Sequence, residues 1–147
     1  MQKKILIALL FLSCYPFLFA SASDNFLTVS DHWLRAAPPN AMMLAAYAKL
    51  SNNTGTDKIL IGAASPDFAM VEIHKSVIID GIASMVHQPE LIIKKGETLT
   101  LQPGGLHIML MHPKSPVKAG DSIKICLIYT QDGIEVIQHV IFPVEKK

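Results

Sequence analysis

The chain has 147 residues, of which 50% are hydrophobic and 17% charged, with a formal net charge of +1. Average soluble domains carry about 25% charged residues, so this apolar chain is no disordered polymer, which needs low hydrophobicity and high charge. The near-neutral balance leaves no basic footprint for nucleic acid, and the length suits one domain with a core of its own.

Lys3 and Lys4 precede an apolar run from Ile5 to Ala20, followed by Ala20-Ser21-Ala22 and the polar stretch Ser23-Asp24-Asn25. A basic start, a short apolar segment and a small-residue cleavage site predict a secretory signal peptide over 1–22. Pro16 and a run below the ~18 residues of a spanning helix argue against a membrane anchor. Leu12-Ser13-Cys14 faintly resembles a lipobox, but Phe11 fits that pattern badly and the apolar run continues past Cys14. Cleavage removes Lys3, Lys4 and Cys14, leaving acids and bases nearly balanced and Cys126 without an internal disulfide partner. The exported domain at 23–147 is therefore expected to rest on its core in an oxidising compartment, with no membrane span.

Beyond the leader, alternation and β-branched residues recur at Leu27–Trp33, Leu44–Leu50, Val71–Ile79, Ile82–Val86, Leu91–Ile93, Thr98–Leu101, His107–Met111, Ser122–Thr130 and Ile134–Phe142. Turn signals separate them: Pro38-Pro39-Asn40, Asn52-Asn53-Thr54-Gly55, Asp80-Gly81, Lys95-Gly96, Pro103-Gly104-Gly105, Ala119-Gly120 and Asp132-Gly133. Many short strands with no long helical period predict an all-β protein, an antiparallel β-sandwich or small barrel. Pro66–Met70 is expected as a single helical turn. There is no internal repeat, low-complexity tract or linker.

Methionine and histidine then supply a pattern. His74 is followed by Met85 after ten intervening residues, His107 after 21 more, and Met109 after one. Asp80-Gly81 is the dipeptide of a two-residue type I′ hairpin turn. With that loop, Ile79 pairs with Ile82, His74 faces His87 and Ser76 faces Met85, so all four project from one face. His107, Met109 and Met111 likewise share a face of their own strand, which the chain enters through Pro103-Gly104-Gly105. Spacing alone does not bring the two faces together.

Two imidazoles and two thioethers form a soft, neutral donor set. Thioether sulfur favours Cu(I), whereas structural zinc takes Cys and His, and calcium and magnesium take oxygen. Methionine has no proton to lose and cannot be lost to a disulfide, so it suits copper in an oxidising compartment. Met42, Met43 and Met70 are expected in the core, and His32, His112 and His139 at the surface or in packing. His87 and Met111 share a face with the proposed ligands and are candidates for supporting or spare donors. Blue copper needs two His, a Cys and an axial Met, and no Met follows Cys126. Neither G-x-S-x-G, H-E-x-x-H nor a paired-carboxylate motif is present, so no enzyme is expected.

At these residues the sequence resembles the periplasmic copper chaperones called PCu(A)C, whose hallmark H-x10-M-x21-H-x-M is matched by His74, Met85, His107 and Met109. Trp33-Leu34-Arg35-Ala36, Ala46-Tyr47, Val71-Glu72-Ile73-His74, Asp80-Gly81 and Pro103-Gly104-Gly105-Leu106-His107-Ile108-Met109-Leu110 also look like the family. The resemblance implies a cupredoxin-like, Greek-key β-sandwich holding one Cu(I) through those four side chains. It further implies copper delivery to an acceptor protein, a cytochrome c oxidase subunit at its CuA centre or a Sco-type chaperone, by a monomer. Some relatives carry a His- and Met-rich tail with Cu(II) capacity; Val144-Glu145-Lys146-Lys147 is not such a tail, and that capacity is not expected of these residues. Two other readings use the same sequence: a periplasmic copper buffer or tolerance protein, and an exported β-sandwich that binds a protein partner with its Met and His merely packed.

Overall fold

The computed structural model describes residues 25–147; the expected leader over 1–22 lies outside the described residues. The chain runs through β1 (Thr28–Arg35), β2 (Met43–Ser51), β3 (Lys58–Ala64), β4 (Phe68–Ile79), β5 (Ile82–His87), β6 (Leu91–Ile93), β7 (Thr98–Leu101), β8 (Leu106–Pro113), β9 (Ser122–Gln131) and β10 (Ile134–Glu145). Strands pair in the order β5-β4-β8-β2-β1-β10-β9-β3-β6, with β7 alongside β2. The first five form one layer and the last four the other, joined where β1 meets β10 in a short parallel contact at Leu34–Val144 and Arg35–Glu145. This is a cupredoxin-like β-sandwich, antiparallel apart from that one seam among the described residues.

Alternation builds the interior. Leu34, Leu50, Ile73, Ile108, Leu127 and Phe142 point between the layers and are almost fully buried. Each such side chain contributes about 1.5–3 kcal/mol on leaving water. Their neighbours in sequence point outward, so the parity that buries Ile108 and Leu110 places His107, Met109 and Met111 on the opposite, outer face of β8. Cys126 is free and lies outward on β9, with Sγ 3.0 Å from Nδ1 of His139 across the ladder. Packing rather than a covalent bridge holds the described residues.

Two expectations need correction. Lys58–Ala64 is a strand that alternation does not announce: Lys58 is fully buried, Gly62 and two alanines follow, and the register slips between Leu60 and Gly62. The Lys58 ammonium survives burial by donating to the Asn25 carbonyl and the Gln131 side chain. Burial holds its pKa below the usual lysine value, the main cause being lost hydration. Pro66–Met70 is no helical turn; Phe68 opens β4 and drops into the core. Among the described residues no helix is long and apolar enough to cross a membrane.

Candidate metal centre

The Asp80-Gly81 loop has the left-handed backbone of a type I′ turn, with φ of 52° and 80°. Ile79 therefore pairs with Ile82, His74 with His87 and Ser76 with Met85, the register expected from the dipeptide. On its other side β4 pairs with β8, and here the chain brings together what spacing could not: His74 lies directly across from His107, and Glu72 across from Met109. Ala45 of β2 completes the Met109 row, and its small side chain leaves room above the strand. The His74 ring is centred 6.2 Å from that of His107 and 5.7 Å from that of His87.

A cavity of about 410 Å³ opens over this face. Met85, His107 and Met109 line it, together with Met43 and Ala45. Its far wall is Arg35 to Pro38, where the chain leaves β1 and Pro38 turns it back through a bond from the Ala41 amide at 2.9 Å. His107 is 4% exposed and Met109 9%, covered by this wall rather than sunk between the layers. Met85 stands at 58% exposure on the edge strand β5. His74 is not in the cavity lining; it sits beside it, largely covered, with its ring next to that of His107. The Arg35 guanidinium stacks at 5.5 Å from Trp33 and 5.3 Å from Tyr47, which fixes that side of the rim.

Hydrogen bonds decide which ring nitrogens are free. A carboxylate and a carbonyl only accept, so Nε2–H of His74 donates to Glu72 Oε2 at 2.8 Å, and Nδ1–H of His107 donates to the Gly105 carbonyl at 3.2 Å. His74 Nδ1 is then a buried lone pair with no partner, and His107 keeps its Nε2 lone pair. Metal-binding histidines are commonly held in this way, the second nitrogen donating to a carboxylate or backbone carbonyl. An unpaired buried nitrogen costs stability unless something coordinates it. The donors present thus fit a soft cation.

Glu72 and the Gly105 carbonyl are the functional groups that sequence reasoning missed. Glu72 could have been found, since it stands two residues before His74 and so shares its face. The Arg35–Pro38 wall had no local signal. His112 turns outward, as expected, and His32 packs edge-on against Phe142, with ring centres 5.2 Å apart. Met42, Met43 and Met70 are not core residues; all three are exposed, Met42 just before β2, Met43 on β2 beside the buried Leu44, and Met70 on β4.

Residues 27–140 match the family model described as "Putative lipoprotein LpqE-like". The chain is 36% identical over 106 residues to "Putative lipoprotein Lxx21020" of Leifsonia xyli subsp. xyli, covering 71% of this chain. It is 27% identical over 94 residues to the uncharacterized protein RP573 of Rickettsia prowazekii, covering 63% of this chain. The matches span 62% and 52% of those relatives' own lengths. Among solved structures, the Cu(I) form of DR1885 from Deinococcus radiodurans superposes with a TM-score of 0.65 at 32% identity, covering 86% of this chain and 82% of that one. The copper-bound PCuAC domain from PmoF2 superposes with a TM-score of 0.64 at 22% identity, covering 82% and 93%, a likeness of fold.

Proposed function

The chain belongs to the LpqE-like family and is a PCuAC-type protein, and from that premise we propose that it is an exported Cu(I) carrier whose ligands are His74, Met85, His107 and Met109. The observation that carries this reading is the cross-strand pairing of His74 with His107, each imidazole presenting one lone pair while its other nitrogen is tied to the protein. Thioethers from Met85 and Met109 flank that pair on the same face. Among the described residues no three His, Cys, Asp or Glu side chains are grouped to hold a metal, so a metal here draws on methionine. Methionine in turn favours monovalent copper over zinc, calcium or magnesium.

Copper is cargo in this reading, and nothing is chemically turned over. All four donors are neutral, and the Glu72 carboxylate behind His74 offsets the single charge of the ion. Among the donors only the imidazoles can take up a proton in place of the ion. The open mouth of the cavity, with Met85 at its rim, allows an acceptor's thiolates or imidazoles to replace these ligands one at a time. The acceptor proposed is a cytochrome c oxidase subunit at its CuA centre, or a Sco-type chaperone on the way to it. The protein acts as a monomer in the periplasm.

Titration with Cu(I) against a chromophoric chelator, combined with X-ray absorption, tests the site. One equivalent with two nitrogen and two sulfur neighbours is expected. A protein that takes up no Cu(I) overturns the reading in favour of a protein-binding module. Gene deletion tests delivery: loss of oxidase activity that added copper restores supports it, whereas copper sensitivity with intact oxidase points to a buffering role for the same ligands.

A further inference from the structure

A second group of methionines lies on the same outer face. Met43 of β2 pairs with Met111 of β8, and Met111 pairs with Met70 of β4, giving three thioethers in one row across three adjacent strands. All three point outward, because Leu44, Leu110 and Val71 beside them face the core. Met43 is 62% exposed and Met70 48%, with Met111 partly covered between them. Single exposed apolar residues are ordinary. Three of the most polarizable side chains meeting in one register row, with none of them serving the core, is a donor set.

Geometry permits convergence. Adjacent strands lie about 4.8 Å apart, so the outer two backbones of the row are separated by roughly 10 Å. Unbranched methionine side chains with three rotatable bonds can lean inward across that gap until three sulfurs surround one ion. The backbone beneath is fixed on both sides: the His112 amide donates to the Met42 carbonyl at 2.8 Å, and the Lys114 amide to the Asp67 carbonyl at 2.9 Å. Met111 is two residues beyond Met109 on β8, which separates the row from the first centre by one same-face step of about 6.7 Å. Met43 also borders the cavity that holds His107 and Met109.

We propose that Met43, Met70 and Met111 form a second site for a soft monovalent cation, made of thioethers alone and weaker than the first. Three neutral sulfurs bind Cu(I) or Ag(I) and reject hard cations. With no ionisable donor, the site has no proton competing with its ion. As a metal site it stands independently of the four-ligand reading; only its use as a holding place for copper rests on that reading.

The test is a titration of the full protein with Ag(I), an air-stable stand-in for Cu(I), followed by NMR of carbon-13-labelled methionine methyl groups. Met85 and Met109 should move with the first equivalent. Met43, Met70 and Met111 should then move together with a second equivalent bound at least about tenfold more weakly. The variant M70L, which conserves volume at an exposed residue outside the cavity lining, should lose the second step, keep the first and leave the Met85 and Met109 signals in place. In H107A the second step should survive alone. Three methyl signals that stay still through several equivalents, or that move with three separate midpoints, overturn the shared site. Movement of the row while Met85 and Met109 stay still refutes the four-ligand centre and leaves this one standing.

Discussion

Two hairpins in this molecule share one turn and have opposite fates. Asp80-Gly81 joins β4 to β5 and Asp132-Gly133 joins β9 to β10, with nearly the same left-handed φ values at both positions. Each hairpin also carries an outward histidine held by a neighbour: His74 by Glu72, and His139 by the Cys126 sulfur. The β9–β10 hairpin has ladders on both flanks, with β3 on one side and β1 on the other, and it buries Tyr129 and Phe142 in the core. The β4–β5 hairpin has β8 on one side only, so β5 is an edge whose residues stay mostly exposed. Identical turn chemistry therefore sets register, while the neighbouring strands decide whether a hairpin becomes scaffold or site.

The contrast breaks most sharply at the two histidines. H74A should lower Cu(I) affinity more than about tenfold in a chelator competition, whereas H139A should leave it unchanged; equal losses would mean that the β4 face is nothing special. Next in size, E72Q should weaken Cu(I) about tenfold by releasing the ring orientation of His74, with the fold intact by circular dichroism. Valine at a left-handed position costs about 1–3 kcal/mol wherever it is placed, so G81V and G133V apply the same insult to each hairpin. Hydrogen exchange should show β5 amides opening in G81V with little change in melting temperature, and global destabilisation by that amount in G133V.

The smallest effect concerns acidity inside the scaffold hairpin. Burial raises the Tyr129 phenol above its usual value, only partly opposed by its surroundings near Leu27. The unfolded chain therefore gives up this proton first as pH rises. Stability is intact below about pH 10 and falls as pH climbs through the higher folded value. Y129F should lack that alkaline fall in urea titrations, while losing about 1 kcal/mol at neutral pH with the hydroxyl's bond to Gln138.

Legibility in the sequence followed the range of the interactions. The β4–β5 register was readable because Asp80-Gly81 fixes it locally, and the outward placement of His107 and Met109 followed from strict alternation. The pairing of β4 with β8 was not readable, since no local signal sets a contact between segments so far apart in the chain. β3 escaped because Lys58 hides a charge and Gly62 sits at a register slip, so neither alternation nor propensity marks the strand. Met43 and Met70 were misplaced by treating methionine as core filler. The parity of Leu44 and Val71 beside them already placed both outside.

The first described strand also has a consequence for attachment. β1 leads from Leu27 just ahead of it, whose amide and carbonyl are both clasped by the Gln138 side chain, to Arg35 at the rim of the cavity. At strand rise these ends are roughly 25 Å apart. Asn25 therefore enters the fold at the pole remote from the cavity mouth, and that mouth stays clear of the strand's own entry point.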